Sequence, residues 1–205
     1  MAYSFNGTNQ WISAGSAPAT AAPVTIAAHF YKTGTATKNG IFLRSAAVSN
    51  QLIGFYFGSS SSVRGFLQQG GIQPDFAASG SYTINTWGHA CLVCESSVLR
   101  TIYRNGGNSA QNTTSATPAS LDRLDIAAVN GTSTFDGRFA EVGIWSAALN
   151  ADEVASLAGG FTCDKVRPQS LVFYAPLIRD LTDIRGALAL TNNNSATVTD
   201  HPRVY

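Results

Sequence analysis

Acid–base, nucleophilic or metal chemistry in this 205-residue chain would have to come from three glutamates, three histidines, three cysteines and the aspartates. Cleaving a glycosidic bond with retention needs two carboxyl groups about 5 Å apart on either side of that bond. Alternate carboxylates on one strand would supply them, yet no E-x-D-x-x-E run or similar occurs. Glu95 falls at a strand end, Glu141 at an expected bulge in a strand, and Glu153 at the third position of a helix. His29, His89 and His201 adjoin no G-x-S-x-G turn of the kind that exposes a nucleophilic serine. Calcium takes six or more oxygens, usually with several carboxylates among them, and Asp122, Asp125 and Asp136 are the nearest approach to such a set. Zinc spacings and phosphate cradles are absent. The chain is therefore expected to be no enzyme, with no catalytic residue, no metal ligand and no cofactor, and its ligand-binding residues stay unassigned.

Cys91 and Cys94 have the spacing of a C-x-x-C pair, but they sit in WGHACLVC, whose alternation reads as a strand. Strand positions three apart face opposite ways and lie roughly 10 Å from each other, too far for a disulfide. Both are expected as core residues, and Cys163 stands alone near a helix end. Charged residues make up only 12% of the chain and the net charge is +1, which excludes the basic groove of a nucleic-acid binder. No apolar stretch reaches the ~18 residues that would insert into a membrane. The first six residues hold no cationic segment leading into an apolar core, which favours synthesis in a reducing cytoplasm.

The elements that must position these side chains are short β-rich runs cut by Gly, Ser, Asn and Pro clusters. They are residues 3–5, 24–31, 41–45, 52–57, 63–68, 87–94, 98–104, 124–128, 135–145 and 171–177. In 24–31 the residues Val24, Ile26, Ala28 and Phe30 share the core face, which puts His29 on the other. Arg104-Asn105-Gly106-Gly107 is the strongest hairpin turn, because Asn-Gly accepts the positive φ angles a tight hairpin requires. The polar stretch after it, 108–118, reads as a surface loop. Phe139 and Val142 are three apart, so both reach one core only across a bulge, for which Ala140-Glu141 is the place. One helix is predicted over 151–158, capped by Asn150 with Glu153 completing a capping box, stopped by Gly159-Gly160, and buried through Val154, Leu157 and Ala158. Trp87 and Trp145 are expected at the core or its edge, and Trp11 in a more open place. The pattern predicts one all-β domain, an antiparallel sandwich carrying one short helix.

Residues 124–157 contain Phe135, Gly137, Glu141, Val142, Ile144 and Trp145 in the order F-x-G-x-x-x-E-V-x-I-W, followed by a capped helix. This segment resembles the C-terminal half of the laminin-G-like, concanavalin A-like jelly-roll family. FNGTNQWIS and INTWGHACLVCESSVLRTIYRNGG resemble further strands of that family. The resemblance implies a two-sheet jelly roll. Where members often carry an acidic pair this chain has Asn9-Gln10, which argues against calcium. The segment LVFYAPLIRDLTDIRGALALTNNN, with its D-x-x-G, resembles the part that usually opens such domains, yet here it stands last. It implies a permuted arrangement in which 171–177 and 187–191 take strand positions normally filled from the N-terminus.

Members ending in D-H-P-R, as residues 200–203 do, are similar to single-domain proteins encoded among tailed-bacteriophage structural genes. That likeness implies a non-catalytic virion protein, a head decoration or cement protein or a tail or fibre component. It would be made in the host cytoplasm and carried in multiple copies or as a homo-oligomer against capsid or tail proteins. Loops 59–62, 70–74 and 108–118 are its expected contact surfaces. The alternative is a carbohydrate-binding, lectin-like module that recognises a surface glycan, with an exposed aromatic in a groove ringed by Asn, Gln and Asp.

Overall fold

The computed structural model describes residues 1–205. Its strands are β1 (Ala2–Asn6), β2 (Trp11–Ala14), β3 (Val24–Lys32), β4 (Lys38–Arg44), β5 (Gln51–Phe57), β6 (Val63–Gln69), β7 (Asp75–Ala77) and β8 (Trp87–Ser96). They continue with β9 (Leu99–Arg104), β10 (Asn108–Asn112), β11 (Arg123–Ile126), β12 (Asp136–Trp145), the helix α1 (Ala151–Ala158), β13 (Leu171–Ala175), β14 (Leu190–Asn193) and β15 (Thr197–Thr199). Two antiparallel sheets form the jelly-roll sandwich. The first runs β10-β9-β8-β3-β12-β1-β15 with β13 also on β12, and the second runs β14-β2-β11-β4-β5-β6-β7.

Period-two alternation fills the space between the sheets. Val24, Ile26, Ala28 and Phe30 of β3 face Ile53, Phe55 and Phe57 of β5 and Val63 and Leu67 of β6 within one buried cluster. Its centre is aromatic: Phe135 and Phe139 lie 4.3 Å apart, Phe30 and Phe57 4.7 Å, and Phe57 and Phe135 4.9 Å between ring centroids. The tilted and edge-on arrangements suit rings with negative faces and positive edges.

The bulge expected in β12 is present. Pairing with β3 shifts register between Ala140 and Gly143, and Glu141 takes a left-handed φ of 53°. Phe139, Val142 and Ile144 consequently all face the inner core. Before the bulge β12 pairs with β1, as Tyr3 with Phe139, and after it with β13, as Val142 with Ala175. The two strands share one flank of β12.

A second layer covers the outer face of the first sheet. Trp145, Leu149, Val154, Leu157, Cys163 and Val166 belong to a smaller buried cluster there, and the Trp145 indole donates to Val166 O at 2.8 Å. Helix α1 has the anticipated cap: Asn150 Oδ1 accepts from Glu153 N at 2.9 Å, and Glu153 Oε2 accepts from Asn150 N at 2.8 Å. Val154 and Leu157 are buried, whereas Ala158 is only partly so. Cys91 lies in this outer layer and Cys94 in the inner core, on opposite faces of β8.

Several expectations need correction. The stretch after the Asn105-Gly106 turn opens with β10, paired with β9 from Asn108 opposite Arg104 to Asn112 opposite Arg100. Backbone pairing does not need apolar side chains, so a polar edge strand gives no alternation to read. The edge strands β7 and β15 escape notice because each is only three residues long, too short to show an alternation. Two of the three C-terminal strands are also shorter or displaced: β13 ends at Ala175 before Leu177, and the strand expected over 187–191 is β14 (Leu190–Asn193), beside β2. Trp87 is half-buried on the outer face, against Tyr31.

The D-x-x-G of the C-terminal segment has a clear physical role. Asp183 is buried, and its Oδ1 accepts from the backbone N–H groups of Tyr174, Arg185 and Gly186 while Oδ2 accepts from Leu188 N, all at 3.0 Å. Ile184 N donates to Tyr174 O at 2.9 Å and Arg185 Nε to Leu171 O at 3.0 Å. Gly186 is required because a Cβ there would stand 2.5 Å from Val172 O. Removing the carboxylate orphans the buried Tyr174 N–H, at a cost of about 1–3 kcal/mol, and three part-buried N–H groups that add to it. Asp183→Ala is expected to lower unfolding free energy by about 3 kcal/mol or more in urea melts, and to expose residues 178–190 to limited proteolysis.

Candidate functional site

The residues that looked capable of chemistry are dispersed. Glu95 is exposed on β8, and Glu153 is held by Arg167, whose Nη2 donates at 2.6 Å. Glu141 is turned by the bulge into the outer layer, where Tyr174 donates its phenolic proton to Oε2 and His201 Nε2 stands 3.2 Å from Oε1. Burial, then the neighbouring Cys163 and Glu141, push the Tyr174 phenol up, so it serves as a donor. Asp122, Asp125 and Asp136 do not assemble: Asp125 pairs with Arg44 at 2.5 Å, Asp136 with Lys32 at 2.5 Å and Asp122 with Arg123 at 3.5 Å. No three His, Cys, Asp or Glu side chains come together in a metal-binding group.

A different surface offers a built recess, the outer face of the second sheet. Because Ile41 and Leu43, then Ile53, Phe55 and Phe57, then Val63 and Leu67 point inward, the alternate residues Phe42, Leu52, Tyr56 and Phe66 point outward. Register makes them neighbours. Gly54 lies opposite both Phe42 and Phe66, and Leu52 is opposite Gln68. A Cβ on Gly54 would meet the Phe42 ring at 2.4 Å, so this glycine is the floor on which that ring rests. Tyr56 and Phe66 meet edge-on with centroids 6.0 Å apart, and both stay half-exposed. Together with Val129 they bound a hollow of about 320 Å³.

The polar groups around these rings are pre-positioned. Tyr56 donates its hydroxyl to Asp75 Oδ2 at 2.9 Å, and Arg64 Nε donates to Asp75 Oδ1 at 2.8 Å. Burial and then Asp75 push the Tyr56 phenol up to about 12, which keeps it protonated. Leu52 and Val129 also wall an adjoining hollow of about 450 Å³ lined by Arg44, Asn50, Gln51, Gln68 and Asn130. Here Asp125, fully buried, accepts from Arg44 Nε and from Asn130 N at 2.7 Å, while Arg44 Nη2 donates to Asn130 Oδ1 at 3.2 Å. Burial raises the Asp125 carboxyl and these hydrogen bonds oppose that rise. Every charge along the groove thus has an opposite partner, and the amides of Asn50 and Gln68 make no bond within the protein.

The sequence profile described as concanavalin A-like lectin/glucanases superfamily matches residues 6–155. The chain belongs to this superfamily. Among solved structures, the native heptameric SAP-like pentraxin from Limulus polyphemus has a TM-score of 0.71 at 15% identity, over 96% of this chain and 93% of that one. Domain 4 of AbnA, a GH43 extracellular arabinanase from Geobacillus stearothermophilus solved with arabinotriose, has a TM-score of 0.64 at 16% identity over 77% and 76% of the two chains. The Ruminococcus gnavus IT-sialidase CBM40 bound to α2,3 sialyllactose has a TM-score of 0.61 at 11% identity over 77% and 96%. At such identities the likeness is one of fold. No curated protein sequence is significantly similar to the chain.

Sequence reasoning did not single out the groove, although alternation in β5 and β6 already turns Tyr56 and Phe66 to one side. This sandwich also buries two histidines on its other outer face: His29 and His89 are register partners with rings 5.0 Å apart. Burial lowers both imidazoles, His89 well below the ordinary 6.5, with the His29 neighbour adding to that effect. The unfolded chain therefore binds more protons than the folded one below about pH 6.5, so stability is full above that value and declines as pH falls through it. The urea midpoint is expected to drop between about pH 7 and about pH 5, with a shallower drop in His89→Gln. An equal slope in the variant would rule out this source.

Proposed function

We propose that the protein is a non-catalytic carbohydrate-binding module whose recognition face is the groove across β4, β5 and β6. The carrying observation is the juxtaposition of Tyr56 and Phe66 over the Phe42–Gly54 floor, continuing into a hollow lined by unbonded Asn50 and Gln68 amides. Half-exposed rings offer apolar faces to the C–H faces of a sugar, and amides donate to and accept from its hydroxyls. The absence of unpaired charge favours a neutral saccharide, since a charged one would need a free counter-charge. Two hollows sharing Leu52 and Val129 suit an extended oligosaccharide better than a single ring. Solved relatives in fold carry arabinotriose and sialyllactose, which supports sugar recognition as the class of activity. Glycan-array screening of the full chain followed by calorimetry is the test. Tyr56→Ala and Phe66→Ala should each weaken the selected oligosaccharide about tenfold or more while leaving the fold intact. Failure to retain any neutral glycan, or unchanged affinity in both variants, would overturn the assignment.

A second reading concerns where such a module works. The likeness of residues 200–203 to phage structural proteins favours a place on a tailed-phage particle, in contact with capsid or tail proteins. Residues 171–205 would then complete the sandwich in permuted order. Many copies on a lattice would make weak sugar contacts effective through local concentration. Mass spectrometry of purified virions from a strain carrying this gene should find the chain in multiple copies; its absence from particles would exclude this setting.

A further inference from the structure

On the outer face of the first sheet, opposite to the groove, Ala158 at the end of α1 and Pro202 and Arg203 of the C-terminal tail border a separate cavity of about 260 Å³. Tyr205 N donates to Gly160 O at 2.7 Å, which ties this tail to the turn after the helix. His29, His89, Trp87, Asn105 and Arg203 line the cavity. His89 is 3% exposed, and its Nδ1 is buried with no partner. A buried N–H without an acceptor is rarer than a buried lone pair without a donor. The tautomer that avoids this orphaned N–H carries its proton on Nε2 of the neutral ring, and His89 lines the cavity. Asn105 is oriented by two bonds to the same residue, its Oδ1 accepting from His89 N at 2.8 Å and its N donating to His89 O at 2.9 Å. That leaves the Asn105 Nδ2 donor free. Arg203 meets no carboxylate; its guanidinium lies over the Tyr205 ring, 5.3 Å from the centroid.

We infer that this cavity is a binding site for a small oxyanion, a carboxylate or phosphate group, received by His89, Asn105 and the Arg203 guanidinium. Three of the residues that line this small space, His89, Asn105 and Arg203, carry donors without protein acceptors, and the single formal charge among them is positive. Donors of this kind bind oxyanions through charge-assisted hydrogen bonds. The acid acting on His29 is Glu141, which does not line the cavity and is already held by Tyr174 and His201. The site is separate from the sugar groove and does not depend on it.

The test is titration of the full chain with inorganic phosphate and, separately, with acetate, against sodium chloride at matched ionic strength, following the histidine ring resonances by NMR. Saturable movement of the His89 resonances is expected, with phosphate alone marking a phosphate ligand and acetate a carboxylate one. Arg203→Gln, an exposed position whose replacement leaves the fold intact, should weaken binding about tenfold, and His89→Gln by a similar factor once its fold is verified by circular dichroism. No saturable response to either anion, binding unchanged by Arg203→Gln, or movement with zinc but with neither oxyanion would overturn the proposal.

Discussion

The bulge at Ala140–Val142 is the constraint from which the architecture follows. Without an extra residue, Phe139 and Val142 would face opposite ways, and one half of the central strand β12 would present its apolar set to the wrong layer. Glu141 absorbs the extra residue at a φ of 53°, a conformation that carries a steric cost for a residue with a Cβ. The surroundings over-determine it: Glu141 N donates to Pro176 O at 3.2 Å, and the side chain is met by Tyr174 and His201. The same kink divides the flank of β12 between β1 and β13. One backbone irregularity thus sets the inner core, the point where the C-terminal strand docks and the polar centre of the outer layer.

Much of this was legible in the sequence because the signals were local and redundant. The spacing of Phe139 and Val142 demanded a bulge, the Asn150 and Glu153 pair marked a helix start, and alternation separated Cys91 from Cys94. Features that depend on register were not legible. That Phe66, Gly54 and Phe42 line up across three strands follows from pairing positions no single strand encodes, so the groove escaped even though each outward aromatic was visible. β10, polar except for Ala110, was hidden differently, because an edge strand held mainly by backbone bonds leaves little trace in side-chain pattern.

The two outer faces show contrasting electrostatics within one sandwich. On the second sheet Arg44 with Asp125 and Arg64 with Asp75 close on each other, leaving aromatic rings and amides to meet a partner. On the first sheet His29 and His89 are kept neutral by burial while Arg203 stands without an acid. A chain with only 12% charged residues has few to place, and their pairing decides which face can attract an ion.

The loop around Asp183 also bears on how the protein behaves in a crowded solution. Open strand edges template pairing with other chains, and long apolar ones are sites where aggregation begins. β13, with the sequence LVFYA, is such a segment. Its outer edge is blunted by a carboxylate on Tyr174 N, a guanidinium on Leu171 O and a backbone N–H on Tyr174 O. The segment after β13 acts as a substitute strand too irregular for another chain to extend. Pairing with another chain is thus blocked at that edge by the chain's own covering loop.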